Sequence, residues 1–320
     1  MPDALAAFGK LGIAFPEEDS FPFRGIRFAG EGVAVDAAFP RGRGLGVRRP
    51  TLHALLVEHA QRAGVTLLWG TAISGVENGV VRAGAAAFHT RWVIGADGVQ
   101  SRVRRWAGLD RSTRFSQRFA FRCHYRVAPW TANMEIWWGP ACQLYITPVT
   151  ADTVCVALIS RQALLRPELA LPLFPEVVRK LEGARTIGRE RGAVSVTRRL
   201  RAVCTGSTAL VGDASGSVDA ITGEGLCLAV KQALALADAL EAGDLRGYQA
   251  EHRRMARRPA FMADFMLLLD RYPRLRRRAL RALAANPQLF ARMVATHVGE
   301  IDPLRFAGTT AALGWRILTR

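Results

Sequence analysis

Two carboxylates stand at the ends of apolar runs, where a chain can use them chemically. Trp92-Val93-Ile94-Gly95-Ala96 leads into Asp97-Gly98, with Ser101 and Arg104 close behind. Thr208-Ala209-Leu210-Val211 leads into Gly212-Asp213, and Gly223-Glu224-Gly225-Leu226 follows. In open α/β sheets, ligands lie beyond the carboxyl ends of strands. An acid there can accept from sugar or polyol hydroxyls, or it can order nearby backbone N–H groups. Small residues beside it let a cofactor approach the backbone. Arg104 carries the fork that meets a phosphate bidentately. Gly223 and Gly225 precede a long apolar stretch, and a helix N-terminus there would carry about half a unit of positive charge. Its exposed N–H groups suit carbonyl or phosphate oxygens. Arg49, just before Pro50, places a guanidinium where orphan helix N–H groups also donate. An anion between them, such as a pyrophosphate, would resolve that conflict. Each segment also has a plainer reading: an Asp-capped strand and turn, a glycine-rich connector, and a solvated arginine.

These residues need a frame to hold them. Phe21 to Phe39 alternates and turns at Gly30-Glu31-Gly32, which predicts a β-hairpin. Gly42, Gly44 and Gly46 lack GxGxxG spacing and lead directly into no helix, so a flexible connection is expected. Pro50 opens a helix with Leu52, Leu55, Leu56 and Ala60 on one face, closed by Gly64. Val65 to Trp69 reads as a short strand, with more strand from Ala72 to Val81. Residues 114 to 160 are β-rich: Phe119 to Val127 and Gln143 to Val149 alternate, and Val154 to Ile159 is continuously apolar. A helix near Pro175 to Leu181 and a strand near Ala193 to Val196 follow. Gly225 to Leu240 is a long apolar helix. Residues 248 to 320 are helical, broken at Pro259, Pro273, Pro287 and Pro303. The fold class is therefore mixed α/β, a Rossmann-like layer with a β-sheet substrate domain threaded through it.

Composition narrows the function. Half of the 320 residues are hydrophobic, enough for one large domain or two modest ones. Five scattered cysteines without a CxxC pair argue against a disulfide framework or a zinc site, and no metal is expected. The first residues show no basic segment followed by an apolar run, and no stretch of about 18 apolar residues occurs. A cytoplasmic setting is expected, with peripheral membrane contact as an addition. The formal charge is +17, and only Lys10, Lys180 and Lys231 of the 44 basic residues are lysine. The arginines are spread along the chain around no nucleic-acid module, so a nucleic-acid partner is not expected.

The Asp97 segment resembles the DG fingerprint of FAD-dependent aromatic-ring hydroxylases, matching at Asp97, Gly98, Ser101 and Arg104. In that family it contacts both FAD and the pyridine nucleotide. Trp92 replaces a residue that is usually charged or polar. The Gly212-Asp213 segment resembles the second flavin fingerprint of the same superfamily. Its ending, Thr222-Gly223-Glu224-Gly225, is more similar to geranylgeranyl reductases and flavin halogenases than to phenol hydroxylases. Gly216 stands where hydroxylases commonly have His, and Ala220 where most members have Pro. Arg49-Pro50-Thr51-Leu52 resembles the family's RxxL element, whose Arg lies against FAD, and Ile73 would then touch the adenosine through its backbone.

The resemblance implies a flavin-dependent oxidoreductase, either a monooxygenase or a double-bond reductase. It would act on a hydrophobic or aromatic small molecule through non-covalent FAD, with NAD(P)H as electron donor. The cofactor-binding residues it implies are Arg49, Ile73, Asp97, Gly98, Arg104, Gly212, Asp213, Gly223, Gly225 and Leu226. A reduced flavin ring would gain from the positive helix end after Gly225. The family's first βαβ unit, with its GxGxxG turn, needs about 30 residues or more. Nothing here supplies it, and Met1-Pro2-Asp3-Ala4-Leu5 reads as a helix lying after it, so a truncated gene model or fragment is expected. A degenerate, non-catalytic flavoprotein scaffold is the competing class. The expected domains are 1–19, 48–111 and 201–245 for FAD, 20–47 and 112–200 for the β-rich substrate domain, and 246–320 as a C-terminal helical region.

No residue is identified as catalytic acid or base. His124, Tyr125 and Tyr145 lie on the expected substrate sheet, and Trp137-Trp138 does not match the halogenase signature WxWxIP. In the C-terminal region, Phe261, Met262, Phe265, Met266, Leu268 and Leu269 form an apolar cluster flanked by arginines. That pattern suits a cap over the substrate cavity, a helix at a membrane surface, or a packed helix with solvated arginines.

Overall fold

The computed structural model describes residues 1–301, except the side chains of Arg114 and Phe115; Pro303 and the rest of the predicted C-terminal helix lie outside them. Helix α1 (Pro2–Lys10) precedes β1 (Ser20–Phe23), β2 (Gly25–Gly30), β3 (Val33–Ala38) and β4 (Gly44–Val47). Strands β2 and β3 form the predicted hairpin, turning at Glu31 (φ 55°) and Gly32 (φ 77°). Two successive positive φ values match the right-handed twist of the strands. The Gly42–Gly46 segment is not a flexible connection: Gly44 to Val47 pairs antiparallel with β1. A Cβ at Gly44 would overlap the Phe23 ring, and one at Gly46 would overlap the Pro148 carbonyl. These glycines therefore serve close packing.

Helix α2 (Arg49–Arg62) follows, then β5 (Gly75–Glu77), β6 (Val80–Ala83), β7 (Ala86–His89), β8 (Val93–Gly95) and α3 (Arg102–Trp106). The predicted strand Val65 to Trp69 does not form among the described residues, and Val65, Leu68 and Trp69 are exposed. Its apolar run reads as a strand, but a strand also needs a partner edge. The long strands β9 (Ser112–Arg126), β10 (Asn133–Gly139), β11 (Cys142–Thr150) and β12 (Thr153–Ser160) lead to α4 (Pro167–Ala170) and α5 (Pro175–Lys180). Strands β13 (Arg185–Leu200), β14 (Cys204–Thr205) and β15 (Thr208–Leu210) precede α6 (Gly225–Ala242), α7 (Leu245–Arg271), α8 (Pro273–Ala285) and α9 (Pro287–His297). Pro273 and Pro287 open helices, as their missing N–H allows. Pro259 does not break one, because α7 runs through it.

The chain divides into two compact units. One comprises Met1–Leu55, Arg118–Ser195 and the residues from Met262 on; the other comprises Leu56–Gln117 and Val196–Phe261. This division differs from the expected boundaries. Residues 1–19 fall with the β-rich unit, and the C-terminal helices are shared out rather than standing apart. The first unit is built on a seven-stranded sheet ordered β13-β9-β12-β11-β10-β2-β3. One face carries the core of Phe121, Trp137, Leu144, Ile146, Val156 and Leu158 under Ala170, Phe174 and Val177. Phe28 packs against Trp138 and Phe290, which brings α9 onto the sheet. The second unit holds a three-stranded sheet ordered β14-β15-β8, the meander β5-β6-β7, α3 and α6. Its core joins Leu109, Val203, Ala209, Leu210, Leu236, Ala239 and Tyr248.

Candidate functional site

Strands β8 and β15 run parallel, with Leu210 opposite Gly95 and the Val211 N–H donating to the Gly95 carbonyl at 2.9 Å. Asp97-Gly98 and Gly212-Asp213 therefore emerge at the carboxyl ends of neighbouring strands. A Cβ at Gly95 would stand 2.7 Å from Leu210 Cδ2 and 2.9 Å from Val103 Cβ, so only glycine allows α3 to pack this closely.

The Asp97 carboxylate orders backbone. It accepts from the Ser101 hydroxyl and from the backbone N–H groups of Arg102 (2.6 Å) and Val103 (3.1 Å). Ser101 Oγ in turn accepts from the Arg104 N–H at 2.9 Å and caps α3. Burial pushes the Asp97 carboxyl up, but the donations from Ser101, Val103 and Arg102 outweigh it and hold the group below its usual range. Arg104 requires a correction. Its guanidinium is buried and donates to Asp110 Oδ1 (2.9 Å), Ala214 O (3.0 Å) and Val99 O (3.0 Å). It ties the two fingerprint turns together and does not present its fork to a phosphate, because neighbouring carbonyls and Asp110 take all three nitrogens.

A layer of buried polar groups supports the second turn. Gly212 (φ 61°) donates its N–H to Gln232 Oε1 at 2.8 Å. Ser215 Oγ donates to the Gly212 carbonyl at 2.8 Å and lies 2.8 Å from His252 Nε2, so the imidazole N–H can donate to it. Tyr248 Oη donates to Leu210 O at 2.7 Å. Burial lowers the His252 pKa to about 4, with a smaller contribution from Arg253. The sequence reading missed Ser215, Gln232, Tyr248 and His252. Gln232 alone offered a signal, as a polar residue inside a helix otherwise rich in Leu and Ala.

Asp213 is exposed beside this turn, whereas Asp219 is buried and caps the next turn through the Ile221 N–H at 3.0 Å. Gly216 stands at φ 110°, and a Cβ there would sit 2.7 Å from Arg198 O. Any side chain at that position would collide with the Arg198 carbonyl. Gly98 (φ 77°), Gly223 (φ 67°) and Gly225 have nothing within 4 Å of a Cβ position, so backbone lies open there. Gly225 begins the 18-residue helix α6, Leu226 is 37% exposed, and Glu224 is buried against Arg258 Nη2 at 3.1 Å.

The second unit thus assembles Asp97, Gly98, Arg104, Gly212, Asp213, Gly223, Gly225 and Leu226. Ile73 is half-buried in the loop before β5 of the same unit. Arg49 is exposed at the first position of α2, in the other unit. Strand alternation separates the three substrate-sheet candidates. Tyr125 packs against the core cluster on one face of the sheet. His124 and Tyr145 alternate to the opposite face. Burial lowers the His124 pKa, and Arg48 and Arg122 lower it further.

Residues 26–161 match the family model described as an FAD binding domain. The chain is 30% identical over 237 residues to digeranylgeranylglycerophospholipid reductase 2 of Methanothermobacter thermautotrophicus, covering 68% of this chain and 61% of that protein. These matches support an FAD-dependent oxidoreductase of the aromatic-ring hydroxylase and geranylgeranyl reductase superfamily. The digeranylgeranylglycerophospholipid reductase of Methanosarcina mazei is a second relative in this superfamily, 29% identical over 65% of this chain and 53% of its own length. The chain thus spans between half and two thirds of these curated relatives. The fold is also that of the flavin-dependent brominase Bmp2, with TM-score 0.78 and 17% identity over 99% of this chain and 88% of that one.

Proposed function

We propose that this protein is an FAD-dependent oxidoreductase acting on a hydrophobic small molecule. The observation that carries the reading is the side-by-side exit of Asp97-Gly98 and Gly212-Asp213 from two parallel strands. This is where an open α/β sheet binds its ligand. The residues fit FAD. Asp213 is an exposed carboxylate suited to polyol hydroxyls, and Gly98, Gly223 and Gly225 leave backbone bare for a flat ring or a sugar. The first turn of α6 offers N–H donors and positive potential to an electron-rich ring edge. Leu226 would line the ring, Gly212 would shape the turn, and Arg104 would position both turns from behind. The Ile73 backbone would add the adenosine contact.

When bound, the flavin supplies hydride-transfer chemistry, with NAD(P)H as its electron source. The protein's task is then placement and exclusion of water. A monooxygenase and a double-bond reductase share this frame. The two reductase relatives, with their phospholipid substrates, favour reduction of an isolated carbon–carbon double bond in a lipid-like molecule.

Flavin titration followed by fluorescence tests the cofactor assignment. Asp213→Ala should weaken FAD binding roughly tenfold to a hundredfold, the worth of a charge-assisted hydrogen bond. Asp219→Ala should leave affinity nearly intact and lower stability, because that carboxylate caps a buried turn. Equal dissociation constants for the two variants would refute the placement.

A further inference from the structure

We infer that the outer face of α8 is a docking surface for an anionic lipid membrane. The helix carries two stripes of equal spacing. Arg276, Ala279, Leu280 and Leu283 are buried, while Arg274, Arg277, Arg278 and Arg281 are exposed. Both sets follow i, i+3, i+4, i+7, so each occupies one side of the helix. From Arg271 to Gly299 the sequence contains seven arginines and no Asp or Glu. Glu31 approaches this helix, and it is engaged by Arg276 Nη2 at 2.9 Å and Arg277 Nε at 3.3 Å. Among the described residues, Arg274, Arg278 and Arg281 face no carboxylate. Like charges at this spacing destabilise a helix, so the stripe works against the isolated fold and with an anionic surface.

The apolar neighbours favour lipid over nucleic acid. Leu268 and Tyr272, one turn apart at the end of α7, are 45% and 48% exposed, and Arg271 lies over the Tyr272 ring at 5.5 Å. A headgroup boundary receives aliphatic and aromatic side chains beneath the phosphates while arginines bind above them. A nucleic-acid backbone offers nothing to Leu268. No described helix is long and apolar enough to cross a membrane, so the contact would lie in the interface plane. The inference concerns a surface of the β-rich unit and stands apart from the flavin assignment.

The test is co-sedimentation of the full chain with vesicles of phosphatidylglycerol and phosphatidylcholine, against phosphatidylcholine alone. Binding should require the anionic lipid and weaken as salt is raised. The triple variant R274Q/R278Q/R281Q should lower partitioning about a hundredfold, and each single variant about fivefold. The single variants serve if the triple variant does not fold. A control with the same loss of charge elsewhere, R41Q/R62Q/R246Q, alters side chains that are 83%, 74% and 98% exposed and should bind as the parent does. L268S/Y272S should weaken the binding that survives at high salt. The inference is overturned if the parent ignores anionic vesicles, or if the control loses as much as the stripe variants. It also fails if a labelled DNA duplex binds more tightly than the vesicles and depends on the same arginines.

Discussion

His252 lies beneath the Gly212 turn, and its contribution depends on staying neutral. Its pKa is depressed from 6.5 to about 4, chiefly by burial. As pH falls, the unfolded chain takes up the proton first, so stability is complete above 6.5 and is lost progressively toward 4. Between pH 6.5 and pH 5 the loss should reach about 1.6 kcal/mol from this group. His252→Gln keeps a side-chain donor for Ser215 without titrating. Urea unfolding at the two pH values should show a smaller difference in the variant than in the parent, and identical differences would exclude His252 as the titrating group. Asp97 acts in the opposite sense of charge but the same direction of pH. Its depressed carboxyl stabilises α3 above its unfolded value and releases it under strong acid.

At the scale of elements, α7 is anchored by one buried carboxylate. Asp270 accepts from Gln143 Nε2 and pairs with Arg118 at 3.6 Å and Arg161 at 3.2 Å, while Arg118 Nη2 also donates to Gln143 Oε1. This network joins α7 to β9 and β11 through side chains that are almost wholly buried. Removing the acid would break this buried ion pair, which costs about 3–5 kcal/mol. Asp270→Ala should therefore unfold at markedly lower urea than the parent. A change below about 1 kcal/mol would show that the helix is held by its apolar face alone. That face is substantial, because Met262, Met266 and Leu269 are all buried. The apolar cluster read from the sequence thus divides along the helix: Leu268 points out while Met266 and Leu269 point in.

The whole molecule places its C-terminal helices in both cores. Tyr248 is 1% exposed in the unit of Leu56–Gln117 and Val196–Phe261, whereas Phe290, Met293 and Val294 are buried in the β-rich unit. A chain ending before Tyr248 should lose core packing in each unit and collect in the insoluble fraction, rather than fold with a merely uncovered cavity. Recovery of a soluble, FAD-binding product would restore the reading of residues 248–320 as a separable cap.

Local chemistry made much of this legible from sequence. Two apolar strands ending in Asp-Gly and Gly-Asp, the glycines before α6, the Glu31-Gly32 turn and the prolines opening α8 and α9 each depend on neighbours in the chain, and each stands where its pattern placed it. Tertiary structure decided what depends on distant partners. It made the Gly44–Val47 segment a strand by giving it β1, and it left Val65 to Trp69 outside any strand. It turned Arg104 from a phosphate ligand into a brace by bringing Ala214 against it. It also placed the Ser215–His252 pair under Gly212, through residues that no linear pattern connects. A side chain's type and spacing fix what it can bond, but the fold alone fixes which partner reaches it first.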